Sequence, residues 1–289
     1  MALFLTNTAL MSCTRYMSNI TSQLDTVYKR LASGKRINSA KDDPAGFQIA
    51  NRLTSQINGY KQGNRNLQDG LAYAQSMEGA LDETVNMLQT IRTLAVQAAN
   101  GTYDDDSRSA INAQAEQLSM EISRIAKKSN FGGIKMLDGN GGISIQCSGT
   151  AGDIINIPNF EEGFTVSGLA SYLSQDGSNY LEKSSDGQLR FSLSSAENAQ
   201  SVLGAIDKYI GAVTTYQGTL GGVQNRFESA IRLNDTMATN LADARSRIED
   251  TDYAQEAANL AKLSIQQQVC AMMLNHAKQS KNIILQLLS

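Results

Sequence analysis

The sequence predicts a mainly α fold: a long antiparallel helical rod with heptad-patterned helices, paired terminal helices and a small central β-hairpin region. Three observations carry this expectation. Apolar residues recur at alternating three- and four-residue spacing near both ends, only two prolines (Pro44 and Pro158) interrupt 289 residues, and glycines cluster between Phe131 and Ser194. The alternating spacing marks helices that bury a narrow seam against other helices. Scarce proline leaves long stretches free to stay helical.

The first helical run carries Leu10, Cys13, Met17, Ile20, Leu24, Val27 and Leu31 on its seam and stops at Ser33-Gly34, where glycine ends a helix. Lys35 to Asp43 reads as a polar linker, and Asp43-Pro44 as an N-cap followed by proline at the first helical position. A longer grid then runs Ala50, Leu53, Ile57, Tyr60, Asn64, Leu67, Leu71, Ala74, Glu78, Leu81, Val85, Leu88, Arg92, Ala95, and stops at Asn100-Gly101. At ~1.5 Å per residue such a helix is roughly 80 Å long. A third helix follows Asp106-Ser107, with Ile111, Ala115, Leu118, Ile122 and Ile125 at heptad spacing, and ends near Ser129-Asn130. The acidic run Asp104-Asp105-Asp106 reads as that helix's start rather than a metal site, because carboxylates favour the positive end of the helix dipole.

In the glycine-rich middle, Ile143–Cys147, Ile154–Ile157 and Leu189–Leu193 alternate like strands, and Gly163 to Gln175 has room for a strand and a short helix. With 6% aromatic residues and no Trp, a thick core built on rings is not expected. The helical pattern returns at Ala196 with Leu203, Ile206, Ile210, Val213, Leu220, Phe227 and Ile231, softened at Gly218 and Gly221-Gly222, and holds to Ile248. A last helix runs from Tyr253 to Leu288, with a less regular apolar register. The order divides the chain into a terminal arm (1–43), half a rod (44–130), a surface-exposed β and loop region (131–195), the returning half rod (196–248) and a second arm (249–289), the two arms pairing.

Composition excludes several classes. A net charge of −3 with interspersed signs gives no basis for nucleic-acid binding or for an acidic membrane surface. No apolar run is long enough to span a bilayer, and the N-terminus lacks a basic region followed by an unbroken apolar stretch, so a secretory signal is not expected. The single histidine, His276, has no identifiable triad partner and cannot form a paired-histidine zinc site. Ser33-Gly34-Lys35 lacks the spacing of a phosphate loop, and the sequons at Asn19, Asn100 and Asn234 are chance-level matches. No enzyme activity, metal or cofactor is expected. Three widely separated cysteines, Cys13, Cys147 and Cys270, exclude a disulfide framework and read as small buried apolar residues.

The segment Leu31-Ala-Ser-Gly-Lys-Arg-Ile-Asn-Ser-Ala-Lys-Asp-Asp-Pro-Ala-Gly-Phe-Gln-Ile-Ala50 resembles the signature of bacterial flagellins, as does Thr93-Leu-Ala-Val-Gln-Ala-Ala-Asn-Gly101. Gly221-Gly-Val-Gln-Asn-Arg-Phe-Glu228, Ser246-Arg-Ile-Glu-Asp-Thr-Asp-Tyr-Ala-Gln-Glu256 and the ending Leu285-Gln-Leu-Leu288 are similar to that family's C-terminal motifs, in the family's order. The resemblance covers about four-fifths of the chain and leaves out the middle, so large outer domains are not expected. It implies a subunit that polymerises into the flagellar filament for swimming motility. Its partners would be further copies of itself, an export chaperone, the filament cap and the hook-junction proteins. It would leave the cell unfolded through the flagellar type III channel without a cleaved signal, to reside in the extracellular filament.

The assembly seam under this reading is Leu10, Cys13, Met17, Ile20, Leu24, Val27 and Leu31 with Ile284, Leu285, Leu287 and Leu288. The polar interruptions Asn64, Glu78, Arg92, Gln217 and Gln224 become candidate contacts that set subunit register. A patch facing the host Toll-like flagellin receptor is expected at Leu88, Gln89, Thr90, Arg92, Leu94 and Gln114. Strongly recognised members of the family carry arginine and glutamate at the positions of Thr90 and Gln114, so weakened activation is expected. Near the end, Asn275-His276-Ala277-Lys278 departs from the family's usual Q-A-N, and the nearby proline is missing. Cys13 and Cys270 lie at comparable distances from their ends, so paired arms would let them approach; two buried thiols is the favoured reading. A hook–filament junction protein, a secreted coiled-coil effector or adhesin, and an enzyme in a flagellin scaffold are the alternatives. One histidine rules out an H-E-x-x-H metalloprotease insert.

Overall fold

Helix stop signals and N-caps divide the chain as its sequence patterning anticipates. The computed structural model describes residues 8–174, 178–183 and 187–288, excepting the side chains of Ala9, Lys278, Ser280 and 281–288. The elements in chain order are α1 (Thr8–Ser33), α2 (Pro44–Ala98), α3 (Asp105–Lys128), β1 (Asn130–Phe131), β2 (Ile134–Lys135), β3 (Ile143–Gln146), β4 (Ile154–Ile157), α4 (Val166–Tyr172), β5 (Leu181–Lys183), β6 (Leu189–Phe191), α5 (Ala196–Glu249) and α6 (Tyr253–Leu288). The strands pair antiparallel in three separate ribbons, β1 with β2, β3 with β4 and β5 with β6.

Local chemistry explains the boundaries. Gly34 adopts φ +71, the left-handed conformation that closes α1. The Asp43 carboxylate accepts the Gly46 amide at 3.0 Å, and proline follows it at the first helical position. Asp104 caps α3 by accepting the Ser107 amide at 3.0 Å. The Ser107 hydroxyl first, and that amide after it, hold the Asp104 carboxyl below its ordinary range. α2 ends at Ala98, just before the glycine signal, and the buried Arg108 guanidinium donates to the Ala98 carbonyl that the helix end leaves without a partner and to the Tyr103 carbonyl in the loop that follows. α5 runs unbroken through Gly218, Gly221 and Gly222. The expected soft spot is absent: a 54-residue helix held along one face tolerates glycines whose Cβ positions open into free space.

The chain separates into two compact units, cut inside α2 between Ile57 and Asn58 and inside α5 between Met237 and Ala238. The unit formed by 58–237 holds the main core. Its largest buried side chains are rings: Tyr73, Tyr209, Phe164, Phe191 and Phe227. Phe160 stacks on Phe164 with centroids 4.4 Å apart, Tyr216 meets Phe164 edge-on at 5.0 Å, and Phe191 meets Tyr209 at 5.1 Å. This corrects the composition argument. A small aromatic fraction still builds an aromatic core when it is concentrated where the ribbons meet the long helices.

The middle of the chain belongs to this same core. Side chains of the long helices donate to its backbone: Tyr73 to the Gly141 carbonyl at 2.7 Å, Asn66 to Gln146 at 3.1 Å, Tyr216 to Pro158 at 2.6 Å and Asn234 to Cys147 at 2.8 Å. On the α3 side, the Phe191 amide donates to Ser119 and the Leu193 amide to Asn112. Among the described residues, Gly163 to Ser174 holds only the short helix α4, capped by Thr165, and no strand.

The unit formed by 1–57 and 238–289 contains α1, α6 and the adjoining ends of α2 and α5. Its 35–43 segment is a fastened corner rather than a free polar linker. Ile37 is buried, the Arg36 amide donates to the Glu249 carbonyl at 2.6 Å, and Lys35 pairs with the Glu249 carboxylate at 2.7 Å. The Thr251 amide returns a bond to the Gly34 carbonyl at 3.0 Å. Asp42 accepts from Ser39 and Asn38, and these bonds lower its carboxyl pKa, the Ser39 hydroxyl contributing most.

Candidate assembly interface

α1 and α6 run antiparallel. Arg30 faces Glu256 at 3.5 Å, Leu24 and Val27 pack with Leu263, and the Cys270 thiol lies 3.7 Å from the Cys13 carbonyl. Residue numbers fall along one helix as they rise along the other. The core of this pair is thin: Leu24, Val27 and Leu263 are buried, with Ile20, Leu31 and Leu260 against them. Of the remaining expected seam residues in α1, Leu10, Cys13 and Met17 are half-buried. Ile284, Leu285, Leu287 and Leu288 continue α6, and their side chains lie outside the described residues.

Large apolar side chains stand in solvent on the same two helices. Met11, Tyr16 and Tyr28 on α1 and Ile265, Val269, Met272 and Met273 on α6 are exposed, Ile265 and Met272 at 61% and 60%. Tyr16, Ile265, Val269 and Met273 join Cys13 and Cys270 along an open groove of about 700 Å³ between the two helices. A monomer gains nothing by wetting a row of this kind, and contiguous exposed apolar surface marks a site of association.

The polar interruptions have internal partners. Asn64 donates to Asp235 at 2.6 Å, Gln224 to Glu78 at 2.7 Å and Gln217 to Asp82 at 2.8 Å, while Arg92 pairs with Asp207 at 2.9 Å. All four join α2 to α5 in one antiparallel register. Their expected role between subunits gives way to register within the chain, for a physical reason: facing seams at heptad spacing place polar residues opposite each other, and such pairs favour a single alignment.

The expected receptor-facing residues divide by exposure. Leu88 and Leu94 are buried in the core, whereas Gln89, Thr90, Arg92 and Gln114 are on the surface. Thr90 returns its hydroxyl to the Asn86 carbonyl at 2.9 Å. His276 is exposed, and no group of three or more metal-ligating side chains occurs among the described residues. No helix among them is long and apolar enough to cross a membrane.

Sequence reasoning missed Gly59, Gly63 and Gly70. A Cβ on Gly63 would fall inside the Cys147 carbonyl, one on Gly59 would meet Gly149, and one on Gly70 would meet Ile145 and Phe227. These glycines let the β3–β4 ribbon lie directly on α2. Their spacing of four and seven residues was the available signal, hidden under the heptad grid.

Residues 4–141 match the family model of the bacterial flagellin N-terminal helical region, and residues 203–288 match that of the C-terminal helical region. The chain belongs to the bacterial flagellins. It is a structural subunit that polymerises into the flagellar filament. Polar flagellin F of Vibrio parahaemolyticus (serotype O3:K6) is 30% identical over 370 aligned residues, and flagellin A of Vibrio cholerae (serotype O1, Classical Ogawa) is 31% identical over 372, each alignment covering 98% of both chains. Those alignments are longer than the 289 residues of this flagellin, so the relatives carry residues that it lacks. The structure of a putative flagellar hook-associated protein from Vibrio parahaemolyticus has a TM-score of 0.55 at 14% identity, over 72% of this chain and all of the other. That likeness concerns the fold alone. The sequence matches separate this flagellin from the junction-protein alternative.

Proposed function

We propose that the α1–α6 pair is the piece of this flagellin that forms the inner core of the filament, its exposed apolar row being covered by neighbouring subunits. The observation that carries this reading is the contrast between a three-residue buried core and eight large apolar side chains, Tyr253 included, left in water among the described residues of the same helices. Contacts between unlike patches whose rotation does not close into a ring generate helical filaments. Residues 1–43 and 249–289 then act as the inner arms, 44–130 and 196–248 as the two halves of the rod, and 131–195 as the surface facing the medium. Terminal arms with so little core of their own suit export in an unfolded state through the flagellar type III channel, without a cleaved signal. The export chaperone, the filament cap and the hook-junction proteins are the further partners of these arms. No catalytic, nucleic-acid-binding or membrane role is part of this reading.

Electron microscopy of the purified protein under polymerising conditions tests it. Long filaments are expected, and discrete closed oligomers would overturn the reading.

The receptor-facing surface is reduced to Gln89, Thr90, Arg92 and Gln114, with no charge at 90 or 114 and with Arg92 engaged by Asp207. Activation of the Toll-like flagellin receptor is therefore weaker than by a flagellin carrying arginine and glutamate there. In a cell reporter assay, Thr90→Arg combined with Gln114→Glu raises potency; unchanged potency sinks the idea.

A further inference from the structure

We propose that Cys13 and Cys270 close an intrachain disulfide across α1 and α6 once the chain is outside the reducing cytoplasm. The inference rests on the extracellular placement of the filament and on the pairing of the two arms. Disulfides persist in such surroundings and are rare in the cytosol.

Three observations place the two thiols together. The Cys270 sulfur lies 3.7 Å from the backbone carbonyl of Cys13. Both residues fall on the shared seam, in the antiparallel register that also sets Leu24 and Val27 against Leu263 and Arg30 against Glu256. Both are half-buried and line the same open groove, so a small oxidant reaches them in the single chain, before neighbouring subunits cover that face. Cys147 is buried in the other compact unit, its thiol held against the Ile145 carbonyl, and has no part in the bond.

A disulfide brings its two Cβ atoms to about 3.8 Å. The two residues sit at the end of the pair where Leu10, Cys13 and Met17 are only half-buried, so side-chain rotation and helix approach there displace little packed surface. The apolar seam resists such an approach least at that end. The oxidant is a low-molecular-weight disulfide. The Cys270 thiolate attacks one of its sulfurs, forming a mixed disulfide and releasing one small thiolate. The Cys13 thiolate then attacks the Cys270 sulfur of that mixed disulfide and releases the second. Two protein thiols are oxidised, one small disulfide is reduced to two thiols, and the protons lost by the cysteines pass to solvent or to the released thiolates. The bond ties the two arms to each other where their packing is thinnest, and it removes closure entropy for nearly the whole chain from the unfolded state.

The test is peptide mapping by mass spectrometry, without reduction, of the full-length chain after treatment with oxidised glutathione, alongside Cys13→Ser, Cys270→Ser and Cys147→Ser. Wild type and Cys147→Ser should yield a linked Cys13–Cys270 peptide with alkylation of both thiols lost. Cys13→Ser and Cys270→Ser should yield none. Both thiols remaining alkylatable in the wild type, a link that includes Cys147, or a link joining labelled to unlabelled chains in a mixed sample would each overturn the proposal. Electron microscopy of the same samples separates the two readings: wild-type filaments whose chains still carry both thiols free after oxidation overturn the disulfide and leave assembly standing.

Discussion

Tyr216 joins a long helix to the central region through one buried hydroxyl, which donates to the Pro158 carbonyl at 2.6 Å. Burial pushes its pKa up to about 12 from an ordinary value of 10. A raised pKa means that the folded state keeps the proton longer than the unfolded state does. Stability from this group is therefore intact below about pH 10 and declines between about pH 10 and 12. Thermal melts across that window should show a shallower alkaline decline for Tyr216→Phe than for wild type. The variant should also be about 1 kcal/mol less stable at neutral pH from the lost hydrogen bond. Parallel curves would reject the assignment. Gly63 makes the second residue-scale case. Alanine there gains helix propensity but must push back the β3–β4 backbone, so a net loss of about 1–2 kcal/mol is expected in denaturant titration. Gly79 has nothing within reach of a Cβ, and Gly79→Ala should instead stabilise by about 0.5–1 kcal/mol. Equal effects at the two sites would contradict the role given to Gly63.

The α1–α6 pair depends on so few buried side chains that each one counts. Leu24→Ala removes one of three from its centre, and a loss of about 2 kcal/mol is expected, felt by this unit and not by the aromatic core. Hydrogen exchange should show faster exchange in α1 and α6, with protection of α2 around Leu81 and Leu88 unchanged; uniform loosening would contradict this independence. Most helices were legible in the sequence because heptad spacing, the Asp43-Pro44 start and the Gly34 stop are local signals. The partners of Asn64, Glu78, Arg92 and Gln217 were not, since each lies more than a hundred residues away and one sequence says nothing about which seams face each other. The β1–β2 ribbon and β5, the partner of the strand read at Leu189–Leu193, escaped for a related reason. Strands of two or three residues offer no period to read, and their place is set by α3 and the long helices. Of the assembly interface, the α1 side was legible as a seam, whereas the wet row at Ile265, Val269 and Met272 was masked by the irregular register of α6.

At the scale of the molecule, the two units differ in what they do with apolar surface. The unit of residues 58–237 buries most of its large apolar side chains in one core and ties its ribbons to long helices through hydrogen bonds, leaving Phe131, Tyr172 and Leu233 among the few in water. The unit of residues 1–57 and 238–289 keeps a small core and leaves methionines, Ile265 and Val269 in water. On the proposed reading assembly would follow from that imbalance, each copy that joins covering apolar surface which the single chain leaves in water. Charged replacements on the wet row separate assembly from folding. Val269→Asp and Met272→Asp alter side chains that the monomer exposes, so monomer stability should change by no more than about 0.5 kcal/mol. In a filament the same side chains would be buried, at about 2 kcal/mol each. Since 1.4 kcal/mol is about a tenfold change in an equilibrium constant, the critical concentration for polymerisation should rise on the order of tenfold or more for either variant. Sedimentation of polymer at graded protein concentrations, with melting of the monomer as the control, measures both quantities. An unchanged critical concentration would mean that this face of α6 stays in water in the filament as well.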